Sequence, residues 1–169
     1  MKRILAVLLA VLLIAVVPAT SLAEGASSNG DTSVYHVQTR GNVLHLRNAA
    51  GLNSPIISSL SNGTALVKIS SKRISKDGYK WINVKTMSGL RGWVADAYVK
   101  SNARADVATQ TSGLNVRSGR GMNYRIYYSI PHGTRGVTVY KINGNWAYVS
   151  WRGRQKGWAS LGYLRWARW

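Results

Sequence analysis

The sequence predicts an all-β chain made of two copies of one small unit, and three observations carry that reading. The apolar segments are short, rich in β-branched and aromatic residues, and punctuated by Gly, Asn, Asp and Ser turns. The chain also repeats itself: Leu44-His45-Leu46-Arg47 returns as Leu114-Asn115-Val116-Arg117, an offset of 70. Gly51, Asn53 and Gly63-Thr64 answer Gly121, Asn123 and Gly133-Thr134 at that spacing; after a gap, Trp81, Val84, Gly92-Trp93 and Tyr98 answer Trp146, Val149, Gly157-Trp158 and Tyr163 at an offset of 65. Finally, 169 residues accommodate two units of about 60 residues, a size at which one core alone is marginal.

Taken in order, Lys2 and Arg3, the apolar run Ile4 to Val17, Pro18 and the small-residue end Ser21-Leu22-Ala23 form the three-part pattern of a secretory signal peptide, residues 1–23. The run is shorter than the ~20 apolar residues that span a bilayer. Residues 24–33 lack apolar periodicity and are expected to be a disordered leader. Copy one, residues 34–100, reads as strands over Val34–Thr39, Val43–Arg47, Thr64–Ser70 and Trp81–Lys85, a polar stretch Lys72–Lys80 with an Asp77-Gly78 turn, a last strand from Gly92, and a closing turn near Asp96–Tyr98. A short linker, 101–104, leads to copy two, 105–169, with strands Leu114–Arg117, Val137–Lys141, Trp146–Trp151 and Gly157–Ser160 and a closing Leu161-Gly162-Tyr163-Leu164. Period two puts Ala147, Val149 and Trp151 on the core side and Trp146 and Tyr148 on the other, and Trp146, like Trp81, is expected on the outer or groove side. Gly119 and Gly121 are expected to supply backbone torsions closed to other residues.

Charge and chemistry narrow the function. There is no cysteine, so disulfides, thiolate metal sites, a cysteine nucleophile and a bacterial lipid anchor are all excluded. Cleavage would remove Lys2 and Arg3 and leave +16 of the formal +18; beyond Asp106 stand ten Lys or Arg and no carboxylate. Such an excess gathers polyanions in a salt-dependent way. His36, His45 and His132 show no metal-ligand spacing, no Gly-x-Ser-x-Gly setting exists, and copy two offers no carboxylate pair. The expectation is a binder rather than an enzyme, with no cofactor and no metal. Gly119-Arg120-Gly121 precedes neither a lysine-serine pair nor a helix, so it is not read as a nucleotide loop.

The string Leu114-Asn115-Val116-Arg117-Ser118-Gly119-x-Gly121-x-Asn123-Tyr124, with Pro131-His132-Gly133-Thr134, Gly144-Asn145-Trp146 and Gly157-Trp158, resembles the bacterial SH3 domain. The likeness is stronger over 104–169 than over 34–100. Arg120 stands where the family has proline, His45 where it has asparagine, and Ser54 where copy two has Tyr124. The resemblance implies two tandem SH3-like small β-barrels and an exported, envelope-associated protein that binds peptidoglycan or another wall polymer.

Aromatic rings with a polar edge suit glycan or extended peptide. In copy two the candidate ligand-binding residues are Asn115, Arg117, Tyr124, Trp146, Tyr148 and Tyr163; in copy one they are Arg47, Trp81 and Tyr98. Trp93 and Trp158 are expected in the core, Tyr98 and Tyr163 in core or groove, and Arg117 either at the groove or bracing its loop. The tail residues Arg165, Trp166, Arg168 and Trp169 suit either an anionic membrane or polymer surface or a final strand that packs its tryptophans. The alternatives are an envelope protein that docks a partner protein or an anionic surface, and, behind these, binding of extracellular nucleic acid.

Overall fold

The computed structural model describes residues 31–167. The signal peptide (1–23), most of the leader, Arg168 and Trp169 lie outside the described residues. The chain is all-β. The first half contains β1 (Thr32–Val37), β2 (Leu44–Arg47), β3 (Ile56–Leu60), β4 (Ala65–Lys76), β5 (Tyr79–Thr86), β6 (Arg91–Ala95), a 3-10 turn (Asp96–Tyr98) and β7 (Val99–Ser101). The second contains β8 (Ala103–Val107), β9 (Leu114–Arg117), β10 (Ile126–Ile130), β11 (Val137–Asn143), β12 (Trp146–Ser150), β13 (Gly157–Ser160), a 3-10 turn (Leu161–Tyr163) and β14 (Leu164–Trp166).

The two halves pair their strands in the same order. In the first, β3 pairs with β2, β2 with β6, β6 with β5, β5 with β4, β4 with β1 and β1 with β7. In the second, β10, β9, β13, β12, β11, β8 and β14 follow the same sequence. The crossing of β2 by β6 at Arg47↔Trp93 recurs as β9 by β13 at Arg117↔Trp158. Both crossings require glycine: a Cβ on Gly92 would lie 2.6 Å from the Arg47 carbonyl oxygen, and one on Gly157 would lie 2.6 Å from that of Arg117. The sheet does not close on itself. Its path of paired strands runs from β10 to β3, so the closure expected from the resemblance is not among the pairings.

β1 belongs to both halves. Val34, Tyr35 and His36 pair with β4, whereas Thr32 and Ser33 pair with Ile142 and Lys141 of β11. Accordingly Val34 and Ala65 join the core of the second half, with Val116, Ile130, Val137, Val139, Ala147 and Val149. The first half has its own core of Val37, Leu46, Leu66, Ile82, Val84 and Val94. Between Ser101 and Ala103 only Asn102 lies outside a strand. Its φ of 70° is left-handed, a conformation asparagine tolerates better than most residues. Its N–H donates to Val34 O (2.8 Å) and its carbonyl accepts from His36 Nδ1 (2.6 Å), which fixes the proton of that ring on Nδ1.

In the polar stretch Lys72–Lys80 the expected Asp77-Gly78 turn is present, and β4 runs on to Lys76 on its near side and pairs with β5 past an irregularity between Lys68 and Arg73. This extended hairpin holds the extra residues that shorten the repeat offset from 70 to 65. Its consequence is local burial. Trp81 is 2% exposed and packs with Ala50, Ala95, Ile74, Tyr79 and Trp93, so of its two expected positions, outer face or groove, the outer one is corrected. Trp146, without such a hairpin beside it, is half-buried. Trp93 and Trp158 are also half-buried rather than in the core, because their neighbours Val94 and Ala159 take the inward positions of β6 and β13.

Candidate functional site

The first half holds a cavity of about 860 Å³, inside the 300–1,000 Å³ range of small-ligand sites. It brings together Arg47, Trp81 and Tyr98, the three residues singled out in copy one, and adds Leu52, Tyr79 and Lys100. β5 supplies two of the rings at period two: Tyr79 meets Trp81 edge-on with centroids 6.2 Å apart. The 3-10 turn supplies the third ring, with Tyr98 tilted against Tyr79 at 6.2 Å. The Trp81 indole N–H donates to Lys76 O (3.0 Å), tying the ring to the extended hairpin. Tyr98 is 40% exposed, and its hydrogen bond with Tyr79 pushes its hydroxyl above the usual value of 10. Arg47 Nη1 donates to Ser54 O (2.7 Å), so this guanidinium braces the loop at the cavity's edge while lining it. The tip of the hairpin closes the other edge: Leu52 N–H donates to Asp77 Oδ2 (2.7 Å).

In the second half the corresponding loop is held differently. Arg117 is buried, and its Nη1 donates to the carbonyls of Met122 (2.8 Å) and Tyr124 (2.9 Å). Of the two readings of Arg117, this is the loop brace. Gly119 and Gly121 do not have positive φ, so the torsional expectation is corrected. Gly119 is required by contact instead, since a Cβ there would lie 2.4 Å from the Tyr124 ring. Tyr124, 52% exposed, therefore lies flat over this loop and presents its other face to solvent. In copy one Ser54 holds that position, and a Cβ on Gly51 would instead meet Lys76 of the hairpin at 2.9 Å.

Tyr148 and Trp158 are opposite each other on β12 and β13, with ring centroids 5.1 Å apart, and Trp146 shares that face of β12. Lys141 Nζ lies 5.0 Å from the Tyr148 ring centroid and 5.4 Å from that of Trp158, and the Arg120 guanidinium is 5.3 Å from Trp158. Asn115 is half-buried in β9, and Tyr163 is exposed on its 3-10 turn. A further set of stacked cations gathers on the turn after β12: Arg152 over Trp151 at 4.9 Å, Arg154 over Tyr128 at 5.0 Å and Lys156 over Tyr140 at 4.2 Å. In the tail, Leu164, Arg165 and Trp166 pair with Val107, Asp106 and Ala105, and Trp166 packs on the second core. The described part of the tail is thus a final strand. Among the described residues no group of three His, Asp or Glu comes together to hold a metal.

Tyr79, Lys141 and Trp158 were not among the candidates. Tyr79 was findable, because it lies two residues before Trp81 and so shares its face. Trp158 was assigned to the core on hydrophobicity alone, although Gly157 and Ala159 beside it already form a small-residue inward side.

The cavity, its rings and the braced loops beside it form the concave surface of a small all-β unit. Residues 42–100 match the family model of the bacterial SH3 domain. The match falls on the copy whose sequence resemblance was the weaker. A relative in Bacillus subtilis (strain 168), the candidate N-acetylmuramoyl-L-alanine amidase YrvJ, is 26% identical over 130 residues, covering 72% of this chain. The matched region spans 24% of that relative's length. Among solved structures, NlpC2 from Trichomonas vaginalis is 12% identical with a TM-score of 0.41, covering 83% of this chain and 49% of its own. NlpC1 from the same organism is 14% identical with a TM-score of 0.40, covering 82% and 47%.

Proposed function

We propose that this is an exported, non-enzymatic protein of the bacterial cell envelope that binds peptidoglycan through two tandem SH3-like modules, with its positive charge adding attraction to anionic wall polymers. The observation that carries this reading is the 860 Å³ cavity of the first half, walled by Tyr79, Trp81 and Tyr98 and edged by Arg47 and Lys100. The half-buried Tyr79 and the exposed Tyr98 give apolar faces for sugar or peptide in front of the buried Trp81, while tyrosine hydroxyls, a guanidinium and an ammonium supply hydrogen bonds at the rim. The bacterial SH3 match and the relative named as an amidase of the wall support the substrate class. The signal-peptide pattern of residues 1–23 supports export.

The test is retention on purified sacculi. The protein is expected in the pellet at moderate salt, and Tyr98→Ala, which removes an exposed ring and leaves the core intact, is expected to shift it to the supernatant. Native protein that remains in the supernatant would sink this reading.

A second reading, adhesion to an anionic polymer or membrane, is favoured by the stacked cations Arg152, Arg154 and Lys156. It separates by salt. Phosphate-dominated binding weakens steeply as ionic strength rises and is insensitive to Tyr98, whereas binding in the cavity responds little to salt.

A further inference from the structure

Against the second half, one carboxylate sits in a formed cradle. Asp31 lies just before β1, and the pairing of Thr32 and Ser33 with β11 delivers its side chain to the Tyr148 and Trp158 face. There Arg120 Nη1 donates to Asp31 Oδ1 (3.3 Å), Asn143 Nδ2 donates to the same oxygen (3.2 Å), and Lys141 Nζ donates to Oδ2. Both cations are also stacked on rings, Lys141 on Tyr148 and Trp158 and Arg120 on Trp158. The donors come from separate places in the sequence, the loop after β9 and strand β11, and converge on both oxygens of one group.

We propose that Arg120, Lys141 and Asn143 form a carboxylate-binding site over Tyr148 and Trp158, which takes the free carboxylate of a peptide ligand and which Asp31 occupies as an intramolecular stand-in. Ring stacking holds the two cations near their working positions, so a ligand need not order them from free rotamers. Asp31 is displaceable. Its side chain is 35% exposed and those of Arg120 and Lys141 are 44% and 34% exposed, and pairs this open to solvent are weak and screened by salt. A ligand carboxylate that also lays its peptide on the two rings gains a contact Asp31 cannot make, because the chain after Asp31 is tied to β11 at Thr32 and Ser33.

The site is independent of the cavity in the first half, so the test uses a small soluble probe rather than sacculi. N-acetyl-alanyl-alanine with a free carboxylate, its C-terminal amide and inorganic phosphate are titrated against the full chain, following tryptophan fluorescence and the indole N–H resonance of Trp158. Asp31→Asn is expected to tighten binding of the free acid by at least about fivefold, since the occupied fraction no longer subtracts from the competent one. The amide is expected not to bind. Adding Arg120→Gln and Lys141→Gln to Asp31→Asn is expected to abolish binding of the acid. In the native protein the acid must displace Asp31, so the side-chain carboxyl carbon resonance of Asp31 should move toward that of a free aspartate as the probe saturates. This measurement needs no variant to fold. Equal affinity of native protein and Asp31→Asn, an Asp31 resonance that does not respond, or tighter binding of phosphate than of the acid would each overturn the assignment.

Discussion

Replacing Arg117 with methionine keeps most of the aliphatic stem and removes the guanidinium that holds the loop between β9 and β10. Two charge-assisted hydrogen bonds disappear, to Met122 O at 2.8 Å and Tyr124 O at 2.9 Å. Bonds of this kind contribute about 1.5–3 kcal/mol each. Met122 and Tyr124 are exposed, so water can reach the freed carbonyls, and the low end applies: about 3 kcal/mol for the pair. At roughly 2–4 °C per kcal/mol for a chain of this length, the melting temperature should fall by about 6–12 °C. Arg47→Met provides an internal ruler. Arg47 donates to one loop carbonyl, Ser54 O at 2.7 Å, so its loss should cost about half as much. Thermal and urea melts followed by tryptophan fluorescence measure both. A cost for Arg117→Met under about 0.5 kcal/mol, or one no larger than that of Arg47→Met, would refute the view that the guanidinium holds this loop through its carbonyls.

Gly92→Ala and Gly157→Ala should each destabilise by about 1–3 kcal/mol in a urea melt, because the new methyl would press on the carbonyl oxygen of Arg47 or Arg117 at 2.6 Å. At Asn102, with φ at 70°, valine should cost about 1–2 kcal/mol while glycine should be nearly neutral, since the main-chain bonds of that residue survive either change. The Asp31 carboxyl is held below its ordinary 3.8 chiefly by the hydrogen bond from Lys141, so its charged form is favoured in the folded state. That contribution is complete above pH 3.8 and fades as pH falls through the lowered value; the melting-temperature gap between native protein and Asp31→Asn should therefore be open at pH 6 and closed in strong acid.

The repeat and most strands were readable because they depend on local pattern, alternation, turn residues and the recurrence of Gly-Trp after a Val-rich strand; β3 and β10 were not expected. What escaped depends on contacts between segments far apart in sequence. In Lys72–Lys80 the Asp77-Gly78 turn was legible, but Ile74 and Tyr79 are too few among polar residues to mark two paired strands, and it is this hairpin that packs them against Trp81 and buries it. The site residues divide along the same line. Arg47, Trp81 and Tyr98 meet because β2, β5 and the 3-10 turn end at one edge of the first half, as their alignment with copy two suggested. Arg117 closes a strand and Tyr124 ends the loop that follows, as expected from the sequence, but their partners there are backbone carbonyls and a glycine, which composition cannot reveal. The role of Asp31 was invisible, because a lone acid in a Gly- and Ser-rich stretch reads as solvated until the strand that follows it is paired.

Because β1 runs continuously from one half into the edge of the other, the chain works as a gauge rather than as beads on a string. Severing it at Asn102 would strip β11 of its neighbour at Ile142 and Lys141 and take Val34 and Ala65 out of the second core. Neither fragment would then report faithfully on its half of the intact molecule.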